Sequence, residues 1–397
     1  MTVLGWRSVI RDAAWMTRAR ARAYRDIMLL APLLSIGLWI VLSHDGVDPL
    51  GKPIGTDFVS FWTASQVALR GSFADAYNID LHWGAQRALF PDADPGYEAF
   101  FYPPVFLLLC LNLALLPYFW SLACWLGVTG FACWRALRAL APAIATPLTF
   151  VAFPAVYLNA MFGQNGYLST ALYAGAVVML DRRPVLAGLC LGALVYKPHL
   201  LELVPVALIA ARRWATLAIT AITAIGLCLL SALCLGLDVW RGFLANTPLA
   251  RATLEQELVG AAKMQSVFAA AQLYGASPGV AYAAQILSAI AVTAVLGRLA
   301  WTGQSGIALG VALLTATLLT TPFLLGYDLM LLAIPLLWVL GQAIARGFLP
   351  WEKTVLMAGF MLPMISSTVA RYLMVPLAPL VIASLFAVVA RRASRDP

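Results

Sequence analysis

Hydrophobic runs of bilayer-spanning length recur along this chain from Ile27 almost to its C-terminus, and few architectures accommodate them. A hydrocarbon core about 30 Å thick offers backbone N–H and C=O groups no partner, so a crossing segment must satisfy them internally. The runs are continuous, unlike the alternating pattern of barrel strands, so they predict helices. Of 397 residues, 62% are hydrophobic and 11% charged, too little charge to cover a soluble globular surface. The expected fold class is an all-α polytopic membrane protein.

Charge placement predicts orientation. The net charge of +8 comes from short basic clusters between apolar runs, a pattern of lipid orientation and not of a nucleic-acid surface. Six arginines (Arg7, Arg11, Arg18, Arg20, Arg22, Arg25) precede the first run and are expected in the cytoplasm. Residues 44–118 are then outside, with Asp45, Asp48, Asp57, Asp75, Asp80, Asp92, Asp94 and Glu98 against Lys52, Arg70 and Arg87. The run 102–118, short and bracketed by prolines, is assigned to the interface. With it non-spanning, Arg135, Arg138, Arg182, Arg183, Arg212, Arg213, Arg298, Arg346, Lys353, Arg391, Arg392 and Arg395 join the N-terminal six inside, 18 of the 26 Lys and Arg.

Twelve spans follow, near 27–43, 119–137, 145–161, 167–180, 184–196, 199–211, 215–236, 279–298, 305–323, 328–345, 354–370 and 373–390. The division expected is a cytoplasmic segment 1–26, one transmembrane domain 27–390 with external loops 44–118 and 237–278, and a cytoplasmic tail 391–397. The fifth and sixth spans are too short to cross as straight helices, which predicts broken helices around YKPH, covered by protein or a polar cavity. The N-terminal run reads as a retained signal anchor, for it continues to spanning length without a small-residue cleavage site. The six cysteines (Cys110, Cys124, Cys133, Cys190, Cys228, Cys234) lie in or beside apolar segments without metal-ligand spacing to histidine and read as small, unpaired core residues.

Few polar residues remain for chemistry. Asp57 opens GTDFVSFWTASQVALRG, where Phe58, Phe61, Trp62, Ser65 and Leu69 recur at helical spacing and predict an amphipathic helix along the membrane surface. Thr56 or Asp57 could simply cap that helix. Lys197 and His199 interrupt an apolar run in LVYKPHLLELV, and an ionisable group at such a place is a functional candidate by default. The plain alternatives are an ion pair with Glu202 or snorkelling to the headgroups. FGQNG offers the amides of Gln164 and Asn165 to sugar hydroxyls or is an ordinary turn. Tyr327 and Asp328 begin another external helix, where Asp328 can act as a cap. Arg371 sits at the last external turn, within reach of a phosphate or as an interface anchor. There is no P-loop, dinucleotide fingerprint, HExxH or GxSxG. A lipid-borne substrate therefore fits better than a nucleotide-activated one.

Taken in order, GTDFVSFWTASQVALRG with AYN, FYPPVFLLLCLNLALLP, FGQNGYLSTALYAGAVVMLDRRPVLAGLCLGALVYKPHLL and TPFLLGYDLMLLAIP resemble glycosyltransferase family 87 over about residues 27–345. The resemblance implies a C-type (GT-C) glycosyltransferase fold with interfacial helices in the first external loop. It also implies a polyprenyl-phosphate mannose donor, a lipid or glycan acceptor, and a site facing the periplasm of a bacterial inner membrane. Asp57 matches the family's catalytic base. Tyr102 belongs to its YPP element, Gln164 and Asn165 to its GQ-N turn, Lys197 to its K-P element, and Tyr327 and Asp328 to its YD pair. Relatives often carry a polar or histidine-containing stretch before that pair, where this chain has Phe323, Leu324 and Leu325. The expected phosphate ligands are therefore Lys197, His199 and Arg371, with Tyr102, Gln164, Asn165, Tyr327 and Asp328 binding substrate and no metal or cofactor required. The rival readings are a transporter or lipid flippase, which would place polar residues at mid-membrane depth and on both faces, and a scaffold of a cell-envelope complex.

Overall fold

The computed structural model describes residues 9–93, 96–256 and 260–395; Arg7, Asp94 and the last two residues of the expected tail lie outside them. Among the described residues the chain is helical, and strand-like pairing is limited to isolated bridges such as Met264 with Leu325. All six cysteines are unpaired; Cys110 and Cys133 are buried, whereas Cys124 and Cys234 are exposed on apolar helices.

Among the described residues five helices are long and apolar enough to cross a membrane: Arg18–Val41, Trp214–Leu235, Pro278–Trp301, Gly326–Arg346 and Glu352–Leu373. The other expected spans are shorter, interrupted or less apolar. Residues 145–161 split into Pro147–Val151 and Pro154–Phe162, because Pro154 cannot continue the preceding turn and instead starts the next helix. The fifth and sixth break as expected: Pro184–Ala193 runs into the 3₁₀ turn Leu194–Tyr196, and Pro198–Leu201 is again 3₁₀ before Val204–Ala210.

Burial sorts the helices. In Gly306–Thr320 every residue but Ile307 is buried, the signature of a helix apolar all round at the centre of a bundle. Arg18–Val41 buries none of its residues, and Leu34, Val41, Ile222, Leu233, Leu287 and Ile290 are exposed on their helices; such apolar outer faces suit lipid. Close packing inside depends on small residues. A Cβ at Gly188 would lie 2.7 Å from Cβ of Ile219, and one at Gly192 2.5 Å from Cβ of Thr223. Four residues apart, these glycines form one face of Pro184–Ala193 against Trp214–Leu235.

The loop 44–118, expected outside, departs from its expected form. Residues 58–65 of the Thr56–Arg70 helix are all buried, so the helix does not lie amphipathically along the surface. Ile79–Leu89, Pro104–Leu115 and Tyr118–Leu140 cover it, and Ser65 Oγ donates to the carbonyl of Cys110 at 2.7 Å. Phe58, Phe61, Trp62 and Ser65 do face inward, but so do the residues between them, and Leu69 is exposed. The 102–118 run forms the helix Pro104–Cys110 and the 3₁₀ turn Leu111–Leu115. At about 1.5 Å per residue these reach roughly 18 Å, short of a bilayer core. The second loop packs on the first: Asn246 Nδ2 donates to the carbonyl of Tyr77 at 2.7 Å, and Tyr77 meets Phe243 edge-on.

Charges gather at two opposite ends of the bundle. One end holds Asp57, Lys197 and Asp328. At the other, Asp181 accepts from Arg213 at 2.5 Å and from the amide of Gly306 at 2.7 Å. There too, fully buried Glu352 takes both Nε and Nη2 of Arg392 at 2.6 Å. This pair locks the start of Glu352–Leu373 to the end of Leu377–Ala393. Arg392→Leu would leave buried Glu352 with only the half-exposed Arg391, 3.9 Å away, as counter-charge, at a cost of up to about 3–5 kcal/mol. A thermal melt of the purified protein should show a clearly lowered midpoint, and the Glu352→Met/Arg392→Leu double variant should recover much of it.

Candidate active site

The site begins with a glycine. Gly55 occupies the N-cap of the Thr56–Arg70 helix at φ 73°, a left-handed conformation that side chains disfavour. A Cβ there would also come within 2.9 Å of Leu122 Cδ2 and 3.1 Å of the Tyr118 hydroxyl, which donates to the carbonyls of Ile54 and Gly55. Neither cap suggested by the sequence forms. Thr56 Oγ1 donates backwards to the carbonyl of Pro53, and no side chain caps this end. Asp57 therefore keeps its carboxylate for another partner, in the first turn where the helix dipole favours negative charge.

That partner is Gln164, whose Nε2 donates to Asp57 Oδ2 at 2.7 Å. Two donors fix the amide in this sense. The backbone N–H of Asn165 and the hydroxyl of Tyr102 both reach Gln164 Oε1, at 3.0 and 3.3 Å, leaving Nε2 for the acid. The turn lies against the acid's helix through Gly163 at φ 68°, where a Cβ would come 2.5 Å from Cβ of Phe58. Tyr102 is held from behind, since Tyr77 donates to its carbonyl at 2.7 Å. Asn165 is fully buried, its side-chain amide close enough to the Tyr102 hydroxyl to act on it but in no well-formed hydrogen bond. Buried amide groups so weakly partnered are costly and rare.

A second cluster holds the broken helices together. Lys197 Nζ lies 2.6 Å from Asp328 Oδ1, both side chains at most 4% exposed, and 5.2 Å from the ring centroid of Tyr327. The sequence offered Glu202 as the counter-ion; Glu202 instead accepts from Thr320 Oγ1 at 3.3 Å. Asp328 also caps its own turn, taking the amide of Leu325 on Oδ2 at 3.3 Å. Asn159 Nδ2 holds the carbonyl of Tyr327 at 3.0 Å. His199 is half-buried beside the pair, with Nε2 enclosed and unbonded. Arg371, expected here as a phosphate ligand, is exposed at the end of its helix, its guanidinium over the ring of adjacent Tyr372.

The two clusters share one electrostatic environment. Burial raises the Asp57 carboxyl to about 6; the Gln164 hydrogen bond and the positive charges of Lys263 and Lys197 oppose the rise, and Asp328 adds to it. Asp57 is thus mostly ionised at neutral pH and more basic than an ordinary carboxylate.

Two charges bearing on Asp57 were not singled out as site residues from the sequence. Burial and the charge of Asp57 raise Glu98 to about 8, against Lys263 and Lys52. Its backbone is clamped by buried Gln86, which donates to the carbonyl of Glu98 at 2.8 Å and accepts from its amide at 3.2 Å. Gln86 adjoins His82, itself bonded to Thr63 and the carbonyl of Ser60 on the Asp57 helix. Burial lowers His82 to about 4, so it serves there as a neutral ring. The sequence carries little signal for either: Glu98 follows Asp92 and Asp94 as one more acid of the first loop, and Lys263 is a lone charge in GAAKMQ.

A family model for glycosyltransferase family 87 matches residues 100–325, more than half of the chain, and the matched stretch contains Tyr102, Gln164, Asn165 and Lys197. No curated protein and no solved structure gives a match.

The buried pair makes a testable asymmetry. Asp328→Asn leaves the Lys197 ammonium without its counter-ion and should cost about 3–5 kcal/mol, read as a fall in the thermal midpoint. Lys197→Met/Asp328→Leu removes both charges and should melt close to wild type. Equal losses in the single and double variants would mean the pair's geometry, not its charge balance, supports the fold.

Proposed function

Because the chain belongs to glycosyltransferase family 87, we propose that it moves a sugar, most simply mannose, from a polyprenyl-phosphate donor to a lipid or glycan acceptor. The reaction takes place at the periplasmic face of a bacterial inner membrane and inverts the anomeric centre. The observation that carries this reading is the Asp57 carboxylate, basic for an acid and aimed by a fixed amide 2.7 Å away. Asp57 accepts the acceptor's hydroxyl proton as that oxygen attacks the anomeric carbon, through an oxocarbenium-like transition state. The electron pair of the breaking C–O bond leaves with the phosphate, so charge stabilisation matters more than protonation of the leaving group. In this reading Gln164 holds Asp57 on the attacking oxygen, while the weakly partnered amide of Asn165 and the Tyr102 hydroxyl take sugar hydroxyls. Lys197 brings positive charge near the phosphate, and Asp328 keeps that ammonium in place. Gathering of these groups at one end of the bundle favours transfer at a membrane face over translocation through it.

The test is transfer by the purified protein from radiolabelled polyprenyl-phosphate mannose to a native lipid extract, with the labelled product identified. Asp57→Asn should lower the rate by about 10²- to 10⁴-fold. Its thermal midpoint at neutral pH should be no lower than wild type, because an acid raised by burial costs stability when ionised and that cost goes with the charge. The wild-type rate should fall tenfold per pH unit below about 6 as Asp57 is protonated. Substantial transfer by Asp57→Asn would remove the base assignment.

A further inference from the structure

Charge balance at the site leaves one requirement unmet. Lys197 is already neutralised by Asp328 at 2.6 Å, and Asp57 must be ionised to act as a base. On the reading above, which this inference rests on, a singly charged phosphodiester enters beside these groups. Cleavage of the bond from its oxygen to the anomeric carbon leaves a phosphate monoester with one more negative charge. The acceptor's proton goes to Asp57 and not to the phosphate. A cation not committed to a carboxylate is needed where that charge grows.

Lys263 meets this description. It closes the 3₁₀ turn Ala261–Lys263 of the second external loop, is exposed, and has no ion-pair partner among the described residues. Its backbone is fixed against the site. Adjacent Met264 bridges Leu325, the residue whose amide Asp328 caps, and the amide of Gln265 donates to the carbonyl of Leu324 at 2.7 Å. Gln265, only 3% exposed, turns its side-chain amide onto the carbonyl of Lys263 at 3.0 Å and Ser367 Oγ at 3.2 Å. The loop is thereby stitched to the turn carrying Tyr327 and Asp328, while the Lys263 side chain remains uncommitted. Among the positive charges acting on Asp57, that of Lys263 counts ahead of that of Lys197, and it also reaches Glu98.

We propose that Lys263 is the cation that receives the leaving phosphate of the lipid-linked donor, the buried Lys197–Asp328 pair serving to shape the site beneath it. The ammonium sits at the rim, where a lipid phosphate lies, and three rotatable N–H donors suit a compact oxyanion.

The experiment uses the full-length protein in lipid nanodiscs, with binding of polyprenyl phosphate and of inorganic phosphate measured beside transfer kinetics from polyprenyl-phosphate mannose. Lys263→Gln should weaken polyprenyl phosphate binding and lower kcat/KM for the donor on the order of 10- to 100-fold, with the acceptor KM and the thermal midpoint unchanged. Lys263→Arg should restore most of the loss. Tight binding of inorganic phosphate, lost equally in Lys263→Gln, would assign the residue to free phosphate and overturn the lipid-linked part of the proposal. If wild type binds polyprenyl phosphate and Lys263→Gln binds it as well, the role of Lys263 is wrong while the enzymatic reading stands. If wild type neither binds nor transfers from such donors, the reading itself fails and this inference with it.

Discussion

Lys197 and Asp328 are each expensive in an apolar bundle, and each stands where the backbone has left the α-helix. Lys197 lies between the 3₁₀ turns Leu194–Tyr196 and Pro198–Leu201, and Asp328 lies inside the 3₁₀ turn Gly326–Leu332. Their contact at 2.6 Å joins elements 131 residues apart. Most of what lies around it follows: the Tyr327 ring is brought to the ammonium, Asp328 caps the turn that the loop 237–278 pairs with, and Asn159 fixes the carbonyl of Tyr327. A buried ion pair is weak as a source of net stability but strong as a specifier, because any packing that separates the charges leaves both stranded. Here it specifies how two interrupted helices meet at the end of the bundle that carries Asp57.

That end is assembled by close contact as much as by charge. Gly55 and Gly163 both take positive φ, and both lie where a Cβ would strike a neighbour. One frees the start of the Asp57 helix from a side-chain cap; the other lets the Gln164 turn rest on Phe58. Around them Phe58, Phe61, Phe106, Tyr118 and Trp125 pack largely edge to face, a rigid aromatic bed beneath a polar contact of 2.7 Å. Preorganisation of this kind holds a carboxylate in one orientation without the reorganisation that water would need.

The broad architecture was legible because apolar length and proline placement are local properties. YKPH announced a break, and the bracketed 102–118 run announced a segment too short to cross. The partner of Lys197 was not legible: Glu202, five residues on, fits any local rule, whereas Asp328 becomes a neighbour only through tertiary folding. The Thr56–Arg70 helix misled for a related reason. Its apolar spacing suggested one buried face, but periodicity records only where hydrophobic residues recur, and small or polar residues such as Ser60, Thr63 and Ala64 can be buried just as fully once other helices cover them. The cap was misread because a glycine at the N-cap leaves no side-chain signal. Arg371 carries a plausible charge, but its guanidinium lies over the ring of adjacent Tyr372 and not on the other charged groups.

The site's ionisable groups differ widely in environment. Asp57 is made basic by burial and then returned partway by Gln164 and two lysines; Glu98 receives less help and stays near 8. Two carboxyls that feel each other's charge do not both ionise freely, so at neutral pH Asp57 holds the charge and Glu98 the proton. Lys263 acts on both carboxyls, whereas the Gln164 hydrogen bond and the charge of Lys197 favour ionisation of Asp57 alone. A site built this way keeps Asp57 ionised by its own surroundings, while Lys263 stays exposed and outside any carboxylate pair among the described residues.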